Sequence, residues 1–366
     1  MPDLQTTIAT TVEVRAGSRT SIVSIGEGLA ARLPSLLDDA GLGTRRFVVS
    51  SPVIWKLHGP ALQGVTKSEV ILVPDGERFK TLQSTARIYE ALIRTEADRG
   101  SVLVAVGGGV VGDVAGFAAA TYLRGIALVQ VPTTLLAQVD SSIGGKVGVN
   151  HQLGKNLIGA FHQPALVVTD PLLLATLPRR EFRSGLYEVV KYGMIASRDL
   201  FDRVARDSKA IFARDPGVLL PAIIESCRIK AAVVSEDERE SGPRRVLNFG
   251  HTVGHALESI TRFRRFRHGE AIAYGMLAAA DLSVARGALA PRERQTLAEL
   301  ITQLGPLPPI ADLSAAQVIE AVRRDKKVVN GRLHFVMCIA IGATTIVDDV
   351  TEAELATSLR AMGMKA

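Results

Sequence analysis

The sequence predicts an α/β fold, with a Rossmann-like parallel-sheet domain first and a mainly α-helical domain after it. Two observations carry this prediction. Short apolar runs alternate with helical patterns through residues 1–178, as expected for a parallel sheet that helices cover on both faces. Helical periodicity then dominates residues 179–366. We therefore expect two domains, 1–178 and 179–366.

Composition limits the classes of protein to which the chain could belong. It has 366 residues, 47% of them hydrophobic, which is enough for two domains with sizeable cores. The two cysteines, Cys227 and Cys338, cannot build a disulfide framework, and this favours a reducing cytoplasm. The first eleven residues lack the basic start and apolar run of a signal peptide. No apolar stretch is long enough to span a membrane, so we expect no membrane partner.

The net charge of +6 comes from basic residues that are mostly dispersed along the chain. Nucleic-acid-binding domains usually concentrate such residues on one element, so we expect no nucleic-acid partner. A small anionic substrate is the better match. Basic residues form runs at 262–267 and 323–327, and the first run is expected to be a solvated loop.

The N-terminal half supplies the strands of the predicted sheet. Short runs rich in β-branched residues predict strands, and longer amphipathic stretches predict helices. The predicted strands are 10–14, 21–25, 46–50, 69–73, 101–106, 126–131 and 166–169, and the predicted helices are 28–40 and 82–96. In such folds, ligands bind at the carboxyl ends of the strands.

A glycine-rich turn, residues 107–113, follows the predicted strand 101–106. It matches the pattern G-x-G-x-x-G, whose glycines let the backbone approach a pyrophosphate at a helix N-terminus. It departs from the usual dinucleotide pattern in one respect. The next strand ends in Pro-Thr-Thr, residues 132–134, where the usual pattern has an acidic residue. A tight turn without a ligand is the alternative. Asp75 and Glu77, after an earlier strand, could hold ribose hydroxyls or form a polar turn.

A lysine-rich segment follows the glycine-rich turn. Residues 139–146 end in Lys146, and Lys155 and Asn156 come shortly afterwards. These side chains suit a phosphate or a carboxylate, so we predict a ligand-binding loop. A solvated surface loop is the alternative, although Leu153 and Leu157 make its surroundings apolar.

The C-terminal half is predicted to be mainly helical. Helical patterns cover residues 185–195, 225–234, 246–260, 270–285 and 291–304, and one late strand is predicted at 333–341. On the first of these helices, Glu188 and Lys191 share a face. They are either an ordinary ion pair or a metal ligand with a nearby cation.

Histidines mark the helix predicted at 246–260. His251 and His255 are one turn apart on its polar face, where their ring nitrogens could share a metal ion. His268, at the start of the next helix, could complete the site. The pair alone is a weak indication, since structural or solvated pairs are more common. Thr252 stands where a hydrolytic zinc helix has its glutamate, so hydrolysis is not supported.

Together these motifs resemble the 3-dehydroquinate synthases, within the sugar-phosphate cyclase family. The resemblance covers nearly the whole chain. It rests on residues 75–80 (DGERFK), 107–113 (GGGVVGD), 131–146 (VPTTLLAQVDSSIGGK), 248–255 (NFGHTVGH) and 268–271 (HGEA). The segment 131–146 is very specific.

The resemblance implies a lyase that needs NAD and zinc, with cobalt as an alternative metal, and that forms a homodimer. Such an enzyme converts 3-deoxy-D-arabino-heptulosonate 7-phosphate to 3-dehydroquinate and phosphate in the shikimate pathway, which leads to chorismate and the aromatic amino acids. In the family, transient oxidation by NAD allows phosphate elimination. Re-reduction, ring opening and an intramolecular aldol closure follow, so NAD is not consumed.

The resemblance also implies the positions of metal and substrate. Glu188, His251 and His268 correspond to the metal ligands and leave coordination positions open for substrate hydroxyls. The residues that correspond to the family's anion- and hydroxyl-binding positions are Arg124, Asp140, Lys146, Lys155, Asn156, Lys191, Lys230, Arg244, Asn248, His255 and Lys327. For the last position in this list, Lys327 is preferred to its neighbour Lys326. Arg124 is expected to reach the neighbouring site across a dimer interface.

Cofactor binding is implied for the first domain, and metal and substrate binding for the second. The expected cofactor-binding residues are Asp75, Glu77, Lys80, Gly108, Gly109, Val110, Val111, Gly112, Asp113, Thr133, Thr134, Lys146, Lys155 and Thr176. NADP stays an alternative to NAD because the strand at 46–49 ends in Ser50 and Ser51, with no acidic residue to hold an adenosine ribose.

Three rival functions stay open at this point. A cyclase for glucose 6-phosphate or sedoheptulose 7-phosphate would act on a substrate without a carboxylate, whereas Lys230 and Arg244 match the dehydroquinate-forming pattern. A metal-dependent alcohol dehydrogenase of similar fold would release NADH in each turnover, and the lysine cluster argues against it. A non-catalytic binding protein on this fold is disfavoured by the intact ligand set.

Overall fold

The computed structural model describes residues 9–17, 19–62, 64–323, 328–329 and 332–366. The chain divides into two compact units: Met1–Pro178 with Leu219–Arg239, and Arg179–Val218 with Glu240–Ala366. The first unit therefore includes a segment from the helical half of the sequence. The division of function between residues 1–178 and 179–366 stays a prediction.

A seven-stranded sheet forms the framework of the first unit. The strands of this unit are β1 Thr10–Arg15, β2 Thr20–Ile25, β3 Arg46–Ser50, β4 Ile71–Leu72, β5 Val102–Gly107, β6 Ala127–Pro132, β7 Lys146–His151, β8 Gly154–Phe161 and β9 Leu166–Thr169. The order in the sheet is β1-β2-β9-β6-β5-β3-β4. All neighbours are parallel except β1 and β2, which are antiparallel.

Helices cover both faces of this sheet, as the sequence predicted. Its helices in chain order are α1 Leu33–Asp39, α2 Pro52–His58, α3 Leu82–Arg94 and α4 Gly109–Thr121. Successive residues of β5 point to opposite faces. Val104 packs in one apolar cluster with Leu33 of α1, and Leu103 packs in another with Ala115 of α4. The fold class is confirmed, because both faces of the central strands are buried.

Two expectations for the first unit are wrong in detail. The predicted helix 28–40 begins as a 3-10 turn, Ala30–Arg32, before α1. Lys146, Lys155 and Asn156 of the lysine-rich segment lie on a β-hairpin of β7 and β8, and not on a loop, whereas Ala137–Ser141 before them is a π-helical turn. The sequence did not predict these strands because their glycines are more typical of a loop. Gly148 and Gly159 face each other across the hairpin, where a Cβ on Gly159 would lie 2.4 Å from the Val147 carbonyl oxygen.

The second unit is mainly helical. The remaining elements of the chain are α5 Arg179–Ala196, α6 Arg198–Phe212, α7 Pro216–Glu236, α8 His251–Ile260, α9 His268–Ala285, α10 Pro291–Leu304, α11 Ala315–Arg323, β10 Val328–Val329, β11 Arg332–Leu333, β12 Phe335–Ala340, β13 Ala343–Val347 and α12 Glu352–Ala361. From Leu219 onwards, α7 belongs to the first unit. The late strand predicted at 333–341 is β12, which pairs antiparallel with β13. Among the described helices, none combines the length and the hydropathy needed to cross a lipid bilayer.

The single helix predicted at 246–260 is wrong in its first part. A 3-10 helix, Pro243–Asn248, comes first, and α8 begins at His251. Gly250 separates them with a φ of +77°, in the left-handed region that glycine tolerates best. Its carbonyl oxygen packs so tightly on α9 that a Cβ on Gly275 would lie 1.7 Å from it. This close approach therefore requires glycine at position 275.

Candidate functional site

Three side chains of the second unit form a candidate metal centre. Glu188 lies in the middle of α5, and His251 and His268 are the first residues of α8 and α9. The Glu188 Oε1 atom lies 3.3 Å from His268 Nε2 and 3.6 Å from His251 Nε2. Ligand atoms of a tetrahedral zinc are about 3.4 Å apart, given zinc–ligand bonds of about 2.1 Å. The donor set and its spacing therefore fit a divalent metal ion.

The second ring nitrogen of each histidine faces an acceptor. His251 Nδ1 is 3.1 Å from the carbonyl oxygen of Phe249, and His268 Nδ1 is 3.4 Å from Glu258 Oε2. Burial lowers the pKa of His268, but the Glu258 and Glu188 carboxylates outweigh it and raise that pKa to about 10. In the metal-free protein, His268 is therefore a cation held between two carboxylates.

A buried ion pair joins Glu188 to Lys191. Their side chains are 0% and 1% exposed, and both face the same side of α5. The shared face predicted for these two residues is therefore observed. An ordinary ion pair and a metal ligand with a nearby cation were the two alternatives for these residues. They do not exclude each other, because Glu188 faces both Lys191 and the two histidines.

The glycine-rich turn of the first unit links β5 to α4. A Cβ on Gly107 would lie 2.6 Å from Val111 Cβ, and one on Gly112 would lie 2.6 Å from Gln130 Oε1. Neither glycine has a positive φ, so close packing requires them. Beside this turn, the backbone N–H of Thr133 donates to the Gly107 carbonyl oxygen, while the buried Thr133 hydroxyl has no hydrogen-bond partner among the described residues. The first turn of α4 and this hydroxyl fit a polar ligand.

The first unit also holds a charged network. Lys80 Nζ donates to Asp113 and, at 2.5 Å, to Asn156 Oδ1. Burial raises the pKa of Asp113, and Lys80 opposes that shift. Lys230 Nζ donates to the backbone oxygen and the Oδ1 atom of Asp140, both at 2.6 Å. These residues were predicted to bind cofactor or substrate. In the structure they form hydrogen bonds within two groups, Lys80 with Asp113 and Asn156, and Lys230 with Asp140.

Family models for the N-terminal and C-terminal parts of 3-dehydroquinate synthase match residues 70–184 and 185–328. A 3-dehydroquinate synthase of Pelotomaculum thermopropionicum is 47% identical over 343 residues, which is 92% of each chain. The chain belongs to the 3-dehydroquinate synthase family. The identification from sequence motifs is thereby confirmed.

Two solved structures of sugar-phosphate cyclases share the fold of this family member. A 2-epi-5-epi-valiolone synthase of Streptomyces hygroscopicus, with NAD+ and Zn2+ bound, is 26% identical with a TM-score of 0.86 and covers 93% of this chain and 96% of its own. A 2-deoxy-scyllo-inosose synthase, with carbaglucose-6-phosphate, NAD+ and Co2+, is 26% identical with a TM-score of 0.85 and covers 96% of this chain and 99% of its own.

The remaining substrate positions expected in a 3-dehydroquinate synthase lie at different distances from the metal centre. The ring of His255 is centred 5.2 Å from that of His251. Arg244 is buried on the 3-10 helix Pro243–Asn248, which packs against α5. At the end of that helix, Asn248 Nδ2 donates to Glu240 Oε1 at 2.5 Å. Since the helix breaks at Gly250, Arg244 and Asn248 do not share one helical face with the histidines.

The other expected positions have varied surroundings. Asp75, Lys146 and Arg124 are exposed, and Arg124 has a φ of +66°. Glu77 contacts the hairpin through Asn150 at 2.8 Å and Lys155 at 3.6 Å. The Thr176 hydroxyl lies 3.0 Å from His58 Nε2. Lys326 and Lys327 lie outside the described residues.

Sequence reasoning missed the contact between Glu258 and His268. Glu258 lies on the polar face of α8, seven residues after His251 and three after His255. That spacing placed it beside the histidines, but nothing local indicated which histidine it would meet. In the basic run at 262–267, Arg262, Arg264 and Arg267 are exposed, as expected of a solvated loop. Arg265 also pairs with Asp312 at 2.6 Å, and Arg267 with Glu181 at 2.6 Å.

Proposed function

We propose that this chain converts 3-deoxy-D-arabino-heptulosonate 7-phosphate to 3-dehydroquinate and phosphate. The observation that carries the proposal is the intact donor set of Glu188, His251 and His268 in a chain that belongs to the 3-dehydroquinate synthase family. The substrate is a sugar phosphate with several negative charges. The buried cations Lys191 and Arg244 supply positive charge in the same unit.

NAD and a divalent metal, zinc or cobalt, are the proposed cofactors, and when bound they supply a reversible hydride acceptor and a Lewis acid for the reacting hydroxyl. Glu188, His251 and His268 would hold the metal. The first turn of α4, with Thr133 beside it, would hold the cofactor's phosphates, because backbone N–H groups at a helix N-terminus favour anions.

The chain's own side chains position the substrate in this proposal. Arg244 keeps its charge at all physiological pH values and can bind a carboxylate in a bidentate manner. Lys191 places a positive charge beside the donor set, where oxygen atoms of the substrate gain negative charge. In the first unit, Lys230 and Asp140 are already joined, so their donor and acceptor atoms have fixed positions before substrate arrives. Substrate binding then costs less side-chain entropy.

The test is phosphate release from the heptulosonate phosphate, with identification of dehydroquinate as the product. The protein is stripped of metal and cofactor and then supplied with NAD, zinc, both or neither. We expect turnover only with both, and no accumulation of NADH. Steady formation of one NADH per substrate would instead support a dehydrogenase and overturn the proposal.

A cyclase for another sugar phosphate is the second candidate, because the solved structures with the same fold include a valiolone synthase and an inosose synthase. The discriminating group is Arg244, which matches a carboxylate that glucose 6-phosphate and sedoheptulose 7-phosphate lack. The wild type should turn over only the heptulosonate phosphate.

Arg244→Lys tests this assignment of the carboxylate. The variant keeps the charge but loses the planar fork, and a hydrogen bond between charged groups contributes about 1.5–3 kcal/mol. We therefore expect kcat/KM to fall about 10- to 100-fold, without any gain of activity on the other two substrates. Wild-type turnover of sedoheptulose 7-phosphate at the rate of the heptulosonate phosphate would show that the carboxylate assignment is wrong.

We also propose a cytoplasmic homodimer. Arg124 is exposed on a turn of the first unit, where it could reach a second copy. The free thiols Cys227 and Cys338 are buried, as suits a reducing compartment. Light scattering should give twice the monomer mass, and mixing an Arg124→Ala variant with a His268→Ala variant should restore part of the activity that each lacks alone.

A further inference from the structure

We propose that Glu258 is a positioning residue for the metal centre. Its carboxylate accepts a hydrogen bond from Nδ1–H of His268 and so selects the ring tautomer that leaves Nε2 available to the metal. This inference deepens the proposed function and rests on its metal-binding assignment. Glu258 itself does not bind the metal.

The geometry around His268 assigns different roles to its two nitrogens. Nε2 lies 3.3 Å from Glu188 Oε1 on α5, whereas Nδ1 lies 3.4 Å from Glu258 Oε2 on α8. A neutral imidazole has one N–H donor and one nitrogen with a free lone pair. In the neutral ring that binds a metal, Glu258 accepts the Nδ1–H, so the lone pair is on Nε2, the nitrogen that faces Glu188.

The second histidine of the centre has the same arrangement with a backbone acceptor. His251 Nδ1 lies 3.1 Å from the Phe249 carbonyl oxygen, and its Nε2 lies 3.6 Å from Glu188 Oε1. Metal-binding histidines commonly donate their other N–H to a carboxylate or a backbone carbonyl, which fixes the ring and raises its basicity. Glu258, which is 5% exposed, is the charged member of this pair of acceptors.

A competing role for Glu258 is direct metal binding. Glu258, His255 and His268 also place their ligand atoms within 4.8 Å of one another. This second set would use His268 from its Nδ1 side, so one neutral ring cannot serve both sets. The set with Glu188 is favoured because two histidine Nε2 atoms converge on one buried carboxylate, and because the Phe249 carbonyl already orients His251 toward it.

The experiment measures zinc affinity by chelator competition in the full-length protein. Glu258→Ala removes the acceptor, and loss of such a partner typically weakens metal binding about 10- to 100-fold. Glu258→Gln keeps an oxygen that can accept the Nδ1–H, so we expect a smaller loss. Asp281→Asn is the matched control, because Asp281 is a carboxylate of the same unit that pairs with Arg294 at 2.6 Å. Its zinc affinity should equal that of the wild type.

The absorption spectrum of the cobalt-loaded protein separates positioning from direct binding. At saturating cobalt, a positioning role leaves the ligands unchanged, so the Glu258→Gln spectrum should match the wild type although the affinity is lower. A changed spectrum in Glu258→Gln and in His255→Ala, with Glu188→Gln unaffected, would show that Glu258 is a ligand. Wild-type zinc affinity in both Glu258 variants would also overturn the proposal.

Two further measurements keep the interpretation clear. Thermal unfolding with chelator present shows whether the Gln variant folds as the wild type does, so that weaker zinc binding is not a folding defect. Phosphate release by the wild type tests the function separately. The two results are independent. If the variants bind zinc more weakly but the wild type releases no phosphate, the role of Glu258 is supported and the proposed reaction is refuted.

Discussion

Glu188 and Lys191 form a pair of opposite charges in a place from which water is excluded. Removing one partner of a buried ion pair leaves the other charge uncompensated, which typically destabilises a protein by about 3–5 kcal/mol. Here the remaining charge would be the carboxylate of the candidate metal centre. Stability and metal binding are therefore coupled at this residue.

Lys191→Met should lower the free energy of unfolding in the presence of chelator, but by less than the ~3–5 kcal/mol typical of a charge left wholly uncompensated, because the His268 cation still faces Glu188. Zinc should restore more stability in the variant than it adds to the wild type, because no ammonium group then competes for Glu188. Urea unfolding with chelator and with zinc measures both effects. Lys209→Met, at an exposed lysine of α6, is the control and should change little. Equal stabilisation of both proteins by zinc would contradict the assignment of Glu188 as a ligand.

Residue-level prediction from sequence succeeded where the information is local. His251 and His255 are i and i+4 on α8, so their shared face follows from helix geometry alone. The partner of His268 could not be derived in this way, because Glu258 belongs to another helix and the contact depends on how α8 and α9 pack. The same limit applies to Lys80 and Asn156, which are far apart in sequence and meet only through the hairpin.

At the scale of elements, glycines decide how closely the helices of the metal centre approach. A Cβ on Gly269 would lie 1.9 Å from the carbonyl oxygen of Ser184, and the Gly269 N–H donates to the Ser184 hydroxyl at 2.9 Å. Ser184 precedes Glu188 by one turn of α5, and Gly269 follows His268 directly. The contact between α5 and α9 therefore sets the distance between two of the candidate ligands.

Gly269→Ala should force α5 and α9 apart. Overpacking of this kind typically costs about 1–3 kcal/mol of stability, and here it should also weaken zinc binding, because Glu188 and His268 separate. Chelator competition and urea unfolding measure the two effects. Gly217→Ala, in the first turn of α7, is the matched control, since a Cβ there would meet only the exposed Asp215 carboxylate, at 3.2 Å, and its φ is not positive. Full zinc affinity in Gly269→Ala would show that this crossing does not position the ligands.

The N-terminus of α12 contains the clearest pH-sensitive contact of the second unit. The hydrogen bond from Arg286 is the main cause that lowers the pKa of Glu354 to about 2, and bonds from Thr351 lower it further. Thr351 and Glu354 also cap the helix reciprocally. A carboxyl group whose pKa is lower in the folded state stabilises the fold above its unfolded pKa, and this contribution is lost as the pH falls.

Glu354→Gln should therefore destabilise the protein near neutral pH, and the difference from the wild type should shrink as the pH falls from 4.5 toward about 2. The urea midpoints of both proteins at a series of pH values measure this difference. Glu299→Gln, on α10, serves as the control for a neutral substitution elsewhere. A difference that stays constant down to about pH 3 would show that Arg286 does not bind the ionised form of Glu354.

At the same scale, sequence periodicity predicted β3, β9 and α10 with the bounds that the structure shows. β3 and β9 are short, mostly apolar runs, and Pro291 and Gly305 mark the two ends of α10 in the sequence. Sequence periodicity failed to predict elements whose conformation depends on tertiary contacts. The chain leaves the helical conformation at Gly250, which packs tightly against α9, and the hairpin of β7 and β8 contains facing glycines that ordinarily indicate a loop.

At the scale of the whole molecule, the first unit is not continuous in sequence. Its helical segment, Leu219–Arg239, is bound to the rest of the unit by side chains. Cys227 Sγ donates to the Gln138 carbonyl oxygen at 3.3 Å, and Gln163 Nε2 donates to Glu238 Oε1 at 3.1 Å. Apolar residues of the segment, such as Ile223, are also fully buried. An α/β domain that ends at Pro178 would lack these contacts.

A fragment of residues 1–178 should therefore not fold stably by itself, although the periodicity of its sequence predicts a complete domain. Joining residues 219–239 to it through a flexible glycine–serine linker should restore a cooperative urea transition, because the contacts to Gln138 and Gln163 form again. A fragment that carries residues 198–212 of α6 on the same linker is the control, since α6 is also amphipathic but belongs to the second unit. Circular dichroism during urea titration measures the three transitions. A cooperative transition of the same midpoint in fragment 1–178 alone would show that the N-terminal segment is an autonomous domain and that Leu219–Arg239 only packs onto it.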